Sequence, residues 1–519
     1  MFSAATFLFS SLSSHDAGDF FKSSTEKRIQ VEKVLSKIRL SHDTYEKIRD
    51  MLIAEFIKGL GKETNASATI KMFPSYVRAV PDGTEQGDFL ALDLGGTNFR
   101  ILRITLEGNK VSMQNKIYMI SKKLMTGPGT DLFDYIAACL SDFVKEQNLE
   151  GKSLPLGFTF SFPCKQEGLT KARLISWTKG FTCPGVVGED VVNLLQKSLI
   201  THPKTGIKMD TIAILNDTTG TLMSCAFLDQ NTNVGMILGT GSNACYMEKL
   251  ENVELWDSDY DEPKQVIINT EWGAFGSDGA LDFMRTKYDY DIDQNSLNPG
   301  KQIYEKMISG FYMGELVRLA LVDLCEKGLL FNGNGSDELY TRNQFFAKYV
   351  SEIESDLSDD FPNTRQVLDE IGIEYVSQED CAIVQYACTL VSSRAAYLAS
   401  AGVAAILTKM HKPKVTVAVD GSLYRYHPKV HNLMMDKIGK LVKDVDFKLI
   451  LSEDGSGKGA ALVAAVASRL AREKAAKLAG RDPKSEPHQN TDNHHSKSSN
   501  PETFNNYSIK PDGNHHKRN

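Results

Sequence analysis

The 519-residue chain carries only eight cysteines, scattered singly and with no C-x-x-C pair. That pattern excludes a disulfide ladder and a cysteine zinc site, and it leaves reduced thiols buried as small hydrophobes in the cytosol. Positive charge is also in short supply. With 59 Lys and Arg against 66 Asp and Glu the net charge is −7, and no surplus exists to hold a nucleic-acid backbone. No stretch approaches the ~20 consecutive apolar residues that cross a bilayer. Residues 1–9 are apolar but lack the basic flank of a secretory signal, the first cation being Lys22. What is present, 41% hydrophobic and 24% charged residues, describes a globular protein long enough for two large lobes.

Hydrophobic spacing predicts an α/β chain. Ser23 with Glu26 reads as a capping box before a helix through Ile29, Val31, Val34, Leu35 and Ile38. A second helix follows through Ile48, Met51, Leu52, Phe56 and Leu60 and stops at Gly61, so two antiparallel helices are expected to open the fold. Three hairpin-connected strands are expected over 89–120, then a helix over 131–145, a strand over 156–161, a helix over 189–199 and a strand over 211–216. The second half restarts with strands at 234–238, 244–248 and 266–269. Helices follow over 302–327 and 380–410, a strand at 415–419, a helix after Pro428, a strand at 447–452 and a last helix from Gly459. From Arg481 the chain turns to Asn, His, Ser, Pro and Lys, a composition that cannot bury enough surface to order itself.

Four segments carry chemistry. LALDLGGTNFR places Asp93 at the end of an apolar strand, followed at once by Gly95, Gly96, Thr97, Asn98 and Arg100. Such a turn lets backbone N–H groups approach an oligophosphate while the carboxylate holds Mg²⁺; a plain Gly-Gly hairpin has the same wording. GMILGTGSNACY repeats the design around Gly239 and Thr240. Two such loops in equivalent positions suggest a facing pair across a cleft. AILNDTTGT puts Asn216 and Asp217 at the carboxyl end of a strand, where Asp217 can take a proton from a hydroxyl nucleophile or one of the two can simply cap a helix. GSGKG, residues 455–459, lacks the Ser or Thr and the glycine spacing of a P-loop. Ser161, Thr178, Lys179, Asn243, Glu271, Gln302 and Glu305 add hydroxyl, amide and charged groups beside glycines and aromatics, the groups that bind a molecule made largely of hydroxyls, a sugar.

Read together, LGFTFSFPC, SWTKGF, ILNDTTGTL, LGTGSNACY, EWGAFG and EKMISGFYMGE resemble, in wording and in order, the hexokinase family of the actin-like ATPase superfamily. The resemblance runs from about Glu26 to Ala475, and each string occurs once, so it implies a single-copy member. It implies a two-lobed actin-like ATPase (ribonuclease H-like) α/β fold with the site in the cleft between lobes. It also implies ATP and Mg²⁺ as cofactors, and phosphorylation of the 6-hydroxyl of glucose and related hexoses such as mannose and fructose.

By position, Ser161, Thr178, Lys179, Asn216, Asp217, Asn243, Glu271, Gln302 and Glu305 match the family's sugar contacts, with Asp217 as the base and Lys179 on the transferring phosphoryl group. Asp93, Gly95, Gly96, Thr97, Asn98 and Arg100 match the first phosphate loop, Asp93 standing near Mg²⁺, and Gly239 and Thr240 match the second. Asp420, Gly421, Ser422, Gly455 and Gly457 match the adenosine side. The expected layout is a flexible segment over 1–22, an N-terminal half over 23–228 bearing most of the small lobe, a C-terminal half over 229–475 bearing most of the large lobe with its last helix returning to the small one, and a polar tail over 476–519. A cytoplasmic monomer is expected, with docking of the apolar N-terminus on the mitochondrial outer membrane as the alternative. An actin-type ATPase and an idle glucose sensor are the rival functions; retained Asp93 and Asp217 favour the enzyme.

Overall fold

In the larger sheet the strand β9 (Thr232–Leu238) holds the place that an earlier strand holds in the smaller one, antiparallel to one neighbour and parallel to the other. The computed structural model describes residues 25–96, 98–107, 110–177, 179–201 and 208–480. Ser23, residues 1–22 and the tail beyond 480 lie outside them. Preceding β9 are β1 (Phe73–Pro74), β2 (Gly87–Leu94), β3 (Asn98–Glu107), β4 (Lys110–Met119), β5 (Ser153–Phe160), β6 (Cys164–Gly168), β7 (Lys171–Leu174) and β8 (Lys208–Leu215). After it come β10 (Ser242–Lys249), β11 (Gln265–Asn269), β12 (Lys414–Asp420) and β13 (Asp446–Leu451).

The small-lobe sheet runs β4-β3-β2-β5-β8, the first three strands antiparallel and β5 and β8 parallel to β2. The large-lobe sheet runs β11-β10-β9-β12-β13 with the same directions, and β1 is added beyond β11. This repeated unit, flanked by helices, is the actin-like α/β architecture. β2 alternates its side chains between two cores: Leu90, Leu92 and Leu94 pack with Leu132, Phe133 and Ile136 of the Gly129–Glu146 helix, while Phe89 and Ala91 face an interlobe core. Burial on both faces is why this strand reads as a continuous apolar run.

The interlobe core contains two helices that exchange sheets. The Asp217–Ala226 helix follows small-lobe β8 yet packs on large-lobe β9, and the Gly455–Leu478 helix follows large-lobe β13 yet packs on the small-lobe sheet, where Ala460 touches Gly157. That last helix begins four residues before the expected Gly459. Its start holds three glycines because there is no room for a Cβ: Gly455 meets the Ser452, Thr221 and Asp420 side chains, Gly457 those of Arg100 and Leu102, and Gly459 the backbone of Gly220, so a sequence that looks helix-breaking is helical here.

Both expected opening helices are present. Thr25–Leu35 and His42–Leu60 share no substantial interface; the first packs on the Gly310–Glu326 helix and the second on the Gln378–Met410 helix. Val31, Leu35, Ile48, Leu52 and Phe56 thereby join the large-lobe core. The helical stretch expected over 302–327 consists of Ile303–Ile308 and Gly310–Glu326, divided at extended Ser309. The break frees Gly310 N–H and Phe311 N–H to donate to the carbonyls of Gly239 and Thr240, at 2.8 and 3.2 Å. The hairpin β6-β7 has no counterpart in the sequence reading.

The 33-residue Gln378–Met410 helix is long and apolar enough to cross a membrane, with a window of mean hydropathy 1.5, but 89% of that window is buried in protein. All eight cysteines are free; seven are buried and Cys164 is half-buried. Residues 75–86 carry the chain from β1 to β2, between lobes. Arg469 holds this crossover through Asp82 at 2.8 Å, Glu85 at 2.9 Å and the Val80 carbonyl at 3.1 Å.

Candidate active site

Polar groups gather where strands end at the cleft. At the end of β8, Asn216 caps the Asp217–Ala226 helix: its Oδ1 accepts from Thr218 N–H at 2.9 Å and from the Thr218 hydroxyl at 2.7 Å. Capping and a role in the site are therefore compatible, since the Asn216 amide nitrogen makes no bond to protein among the described residues. Asp217 Oδ1 accepts from Thr218 N–H at 2.9 Å. Burial raises its pKa, Lys179 opposes the rise, and Asp93 adds to it.

Lys179 is delivered by an aromatic scaffold. Trp177 stacks on Phe181 at 5.3 Å, meets Phe162 edge-on at 4.9 Å and donates its indole N–H to the Cys183 carbonyl at 2.8 Å. On this base Lys179 takes a left-handed backbone, φ 56°, and its Nζ reaches the Ser161 carbonyl at 2.9 Å. Solvent reaches the side chain through the cleft, yet the protein around it is enough that partial burial lowers its pKa; Asp217, Asp93 and Glu305 pull the other way. Thr178 lies outside the described residues.

On the large-lobe side Asn243, Glu271, Gln302 and Glu305 come together with a residue the sequence reading passed over, Asn269. Asn243 Nδ2 donates to Asn269 Oδ1 at 2.8 Å and to Glu271 Oε1 at 3.0 Å; Asn269 Nδ2 donates to the same Oε1 at 2.8 Å. Glu271 and Gln302 both adopt left-handed backbones, φ 56° and 53°, a strain of about 1–3 kcal/mol each that surrounding structure must hold. Burial pushes Glu271 up to about 7, with Asp217 and Glu305 adding to the rise. Glu305 is raised by burial too, and its Oε2 accepts from Ser242 N–H at 3.0 Å. A hint of Asn269 did exist in the sequence: it is the first polar residue after the apolar run VII, two residues before Glu271.

On the other side Asp93 ends β2 next to Gly95 and Gly96. Ser456 Oγ donates to Asp93 Oδ2 at 2.6 Å, and Arg100 bridges Asp93, at 3.5 Å, to Asp454. Burial raises Asp93. Asn98 begins β3, and Thr97 lies outside the described residues. Gly239 meets Gly421 and Ser422: a Cβ on Gly239 would lie 3.2 Å from Gly421 Cα, and Gly421 itself has φ +117°. Asp420 accepts from Gly421 N–H at 2.7 Å and Gly455 N–H at 3.3 Å.

Thr240 and Ser422 continue into a cavity of about 780 Å³ lined also by Gly310, Phe311, Phe346 and Tyr426. That is the size and mixed character of a small-molecule site. Gly455 and Gly457 do not line it. They are buried, Gly457 against Arg100 and Leu102, and serve close packing between lobes.

Two family models described as hexokinase match consecutive stretches, residues 30–227 and 233–466. The chain belongs to the hexokinase family. It is 49% identical to the hexokinase of Schistosoma mansoni over 444 residues, 85% of this chain and 97% of that one. It is 48% identical to human hexokinase-2 over 448 residues, 85% of this chain and 48% of the human protein. The chain thus spans about half the length of that curated relative. Among solved structures, a Schistosoma mansoni hexokinase complexed with glucose superposes with a TM-score of 0.78 at 47% identity, covering 86% of this chain and all of that one. A second hexokinase crystal structure gives 0.74 at 30% identity over 85% of this chain and 100% of the other. The hexokinase halves meet between 227 and 233, in the turn that follows the Asp217–Ala226 helix.

Proposed function

We propose that this protein transfers the γ-phosphoryl group of ATP to the 6-hydroxyl of glucose and related hexoses. The observation that carries the reading is the placement of half-buried Asp217 opposite Lys179, between a hydroxyl-binding cluster and two glycine turns, in a chain of the hexokinase family.

Asp217 is the base that takes the hydroxyl proton, its raised pKa lying closer to that of the group it serves than an ordinary carboxylate's. Lys179 stabilises charge on the group in flight. Asn216, Asn243, Glu271, Gln302, Glu305, Ser161 and Thr178 hold the sugar hydroxyls, where a missing partner on either side leaves a buried polar group unpaired. Asp93, Gly95, Gly96, Thr97, Asn98 and Arg100 hold one side of the triphosphate and Gly239 and Thr240 the other; the nucleoside enters the cavity beside Ser422, Asp420 and Gly421.

Mg²⁺ fits this donor set. Among the described residues no three acidic, His or Cys groups form a cage, and Mg²⁺ asks for none, since it keeps waters and phosphate oxygens and needs one or two carboxylates, here Asp93. When bound it neutralises phosphate charge. A monomer in the cytoplasm is the proposed working state. Coupled detection of glucose 6-phosphate with MgATP, with and without glucose, tests the proposal: glucose-dependent turnover supports it, glucose binding without product moves the protein to a sensor, and glucose-independent hydrolysis to an actin-type ATPase.

A further inference from the structure

The amide network around Glu271 has only one consistent orientation, and it starts from the backbone. Asn243 Oδ1 accepts from the backbone N–H of Ala244 at 2.8 Å and of Glu271 at 3.1 Å, so the Asn243 amide nitrogen must face the other way, toward Asn269 Oδ1. Asn269 is then obliged to turn its own NH₂ to Glu271 Oε1. Asn269 cannot drift, because it sits at the inner end of β11, paired with Cys245 on β10 and Phe73 on β1. Glu271 Oε1 is thus held by two amide donors, one from each asparagine, while its backbone N–H is held in the left-handed conformation by the first.

We propose that Asn269 is a positioning residue of the sugar site, fixing Glu271 as an ionised carboxylate with one oxygen spoken for and the other presented to a sugar hydroxyl. This rests on the reading of the cluster as a hexose site. Charge in the cluster works against ionisation: Asp217 from the Asp217–Ala226 helix and Glu305 from the Ile303–Ile308 helix both repel the carboxylate, Cys164 on β6 lies in its field, and the nearby cations act on those two acids, Lys179 on Asp217 and Lys306 with Lys179 on Glu305. The two amides are the groups that oppose this, and Asn269 supplies the shorter bond. A carboxylate that has to accept from a hydroxyl is best ionised, whereas its protonated form has lost acceptor capacity.

The test is Asn269→Asp, which keeps the shape and replaces the donor by an acceptor, compared with wild type in the full chain. Glucose affinity is read by tryptophan fluorescence, with KM for glucose, KM for ATP and kcat in parallel. Asn269→Asp is expected to weaken glucose binding at least ~10-fold, to move the acid limb of kcat/KM for glucose to higher pH, and to leave KM for ATP and saturated kcat within about three-fold. In a Glu271→Gln background, where no carboxylate remains to be oriented, adding Asn269→Asp should shift the acid limb no further. Unchanged glucose affinity and pH limb in a folded Asn269→Asp protein would overturn the proposal, as would an equal loss in both backgrounds, which marks a merely structural residue. If Asn269→Asp fails a thermal-melt check, Asn269→Ala is read by the same criteria. Wild-type protein that binds no glucose would overturn the sugar-site reading together with this one; wild type that binds glucose beside an unaffected variant overturns this one alone.

Discussion

Gly459 and Gly220 touch through their backbones: a Cβ on Gly459 would lie 1.9 Å from the Gly220 carbonyl oxygen. The helices that start at Asp217 and Gly455 therefore cross at a pair of glycines, and their first turns, with Asp217 on one and Ser456 on the other, are set by that crossing. Gly459→Ala has no flexible atom to push aside. It is expected to destabilise the protein by about 3 kcal/mol, measured by urea unfolding, since overpacking of a close backbone contact is at the upper end of such costs.

Asp217→Ala removes a proton acceptor that stands at a helix N-terminus and not in a core. Turnover is expected to fall by about 10²–10⁴-fold, with glucose affinity by fluorescence titration changed far less. Near-native turnover would rule out Asp217 as the base.

The raised carboxylates predict the pH dependence. Burial lifts Glu271 to about 7 and lifts Asp217 above the ordinary Asp range, and both are needed ionised. As pH falls through neutrality protons bind to Glu271, so kcat/KM for glucose should decline on an acid limb near pH 7, well above the limb of a solvated carboxylate. Partial burial lowers Lys179, so loss of activity on the alkaline side should begin below the ordinary lysine range. A pH profile of kcat/KM from about 5 to 10 checks both limbs.

Phe311 is 62% exposed and Phe346 47% exposed at the mouth of the cavity beyond Thr240 and Ser422. Gly314, one turn after Phe311, presses on the backbone of residues 345–347, which brings the two rings to the same wall. Aromatic faces left open beside a phosphate loop suit a stacked base. Phe311→Ala is expected to raise KM for ATP by roughly ten-fold and leave KM for glucose unaltered.

Ligands for one substrate come from both lobes, and the 75–86 crossover is anchored by Arg469, so closure around glucose should pivot there. Small-angle scattering is expected to show a smaller radius of gyration on adding glucose. No compaction at saturating glucose would count against closure.

Much of this was legible. Strand periodicity located the sheets, and the Gly-Gly and Gly-Thr-Gly turns lie where the sequence put them, at the ends of β2 and β9. The β6-β7 hairpin was missed because CKQEG and KARL carry no alternating apolar signal; their pairing depends on neighbours distant in sequence. The two opening helices were legible but their docking sites were not, since an apolar stripe records that a helix packs, without recording on what. Asn269 escaped because a single asparagine at a strand end looks like a turn signal; its meaning lies in where Asn243 and Glu271 stand. The start of the last helix was placed at Gly459 and lies at Gly455, because a stretch so rich in glycine carries no helical signal of its own.

The Gln378–Met410 helix has its own consequence for how the chain is made. Its cover comes from His42–Leu60, synthesised long before it, and from Val430–Leu441, synthesised after it. A nascent chain that has emerged only to Met410 presents a helix of membrane-spanning length and apolarity with one side still bare. Synthesis of the segment up to Leu441 is therefore the interval in which a chaperone is most needed, and a ribosome paused there would hold the species most prone to aggregate.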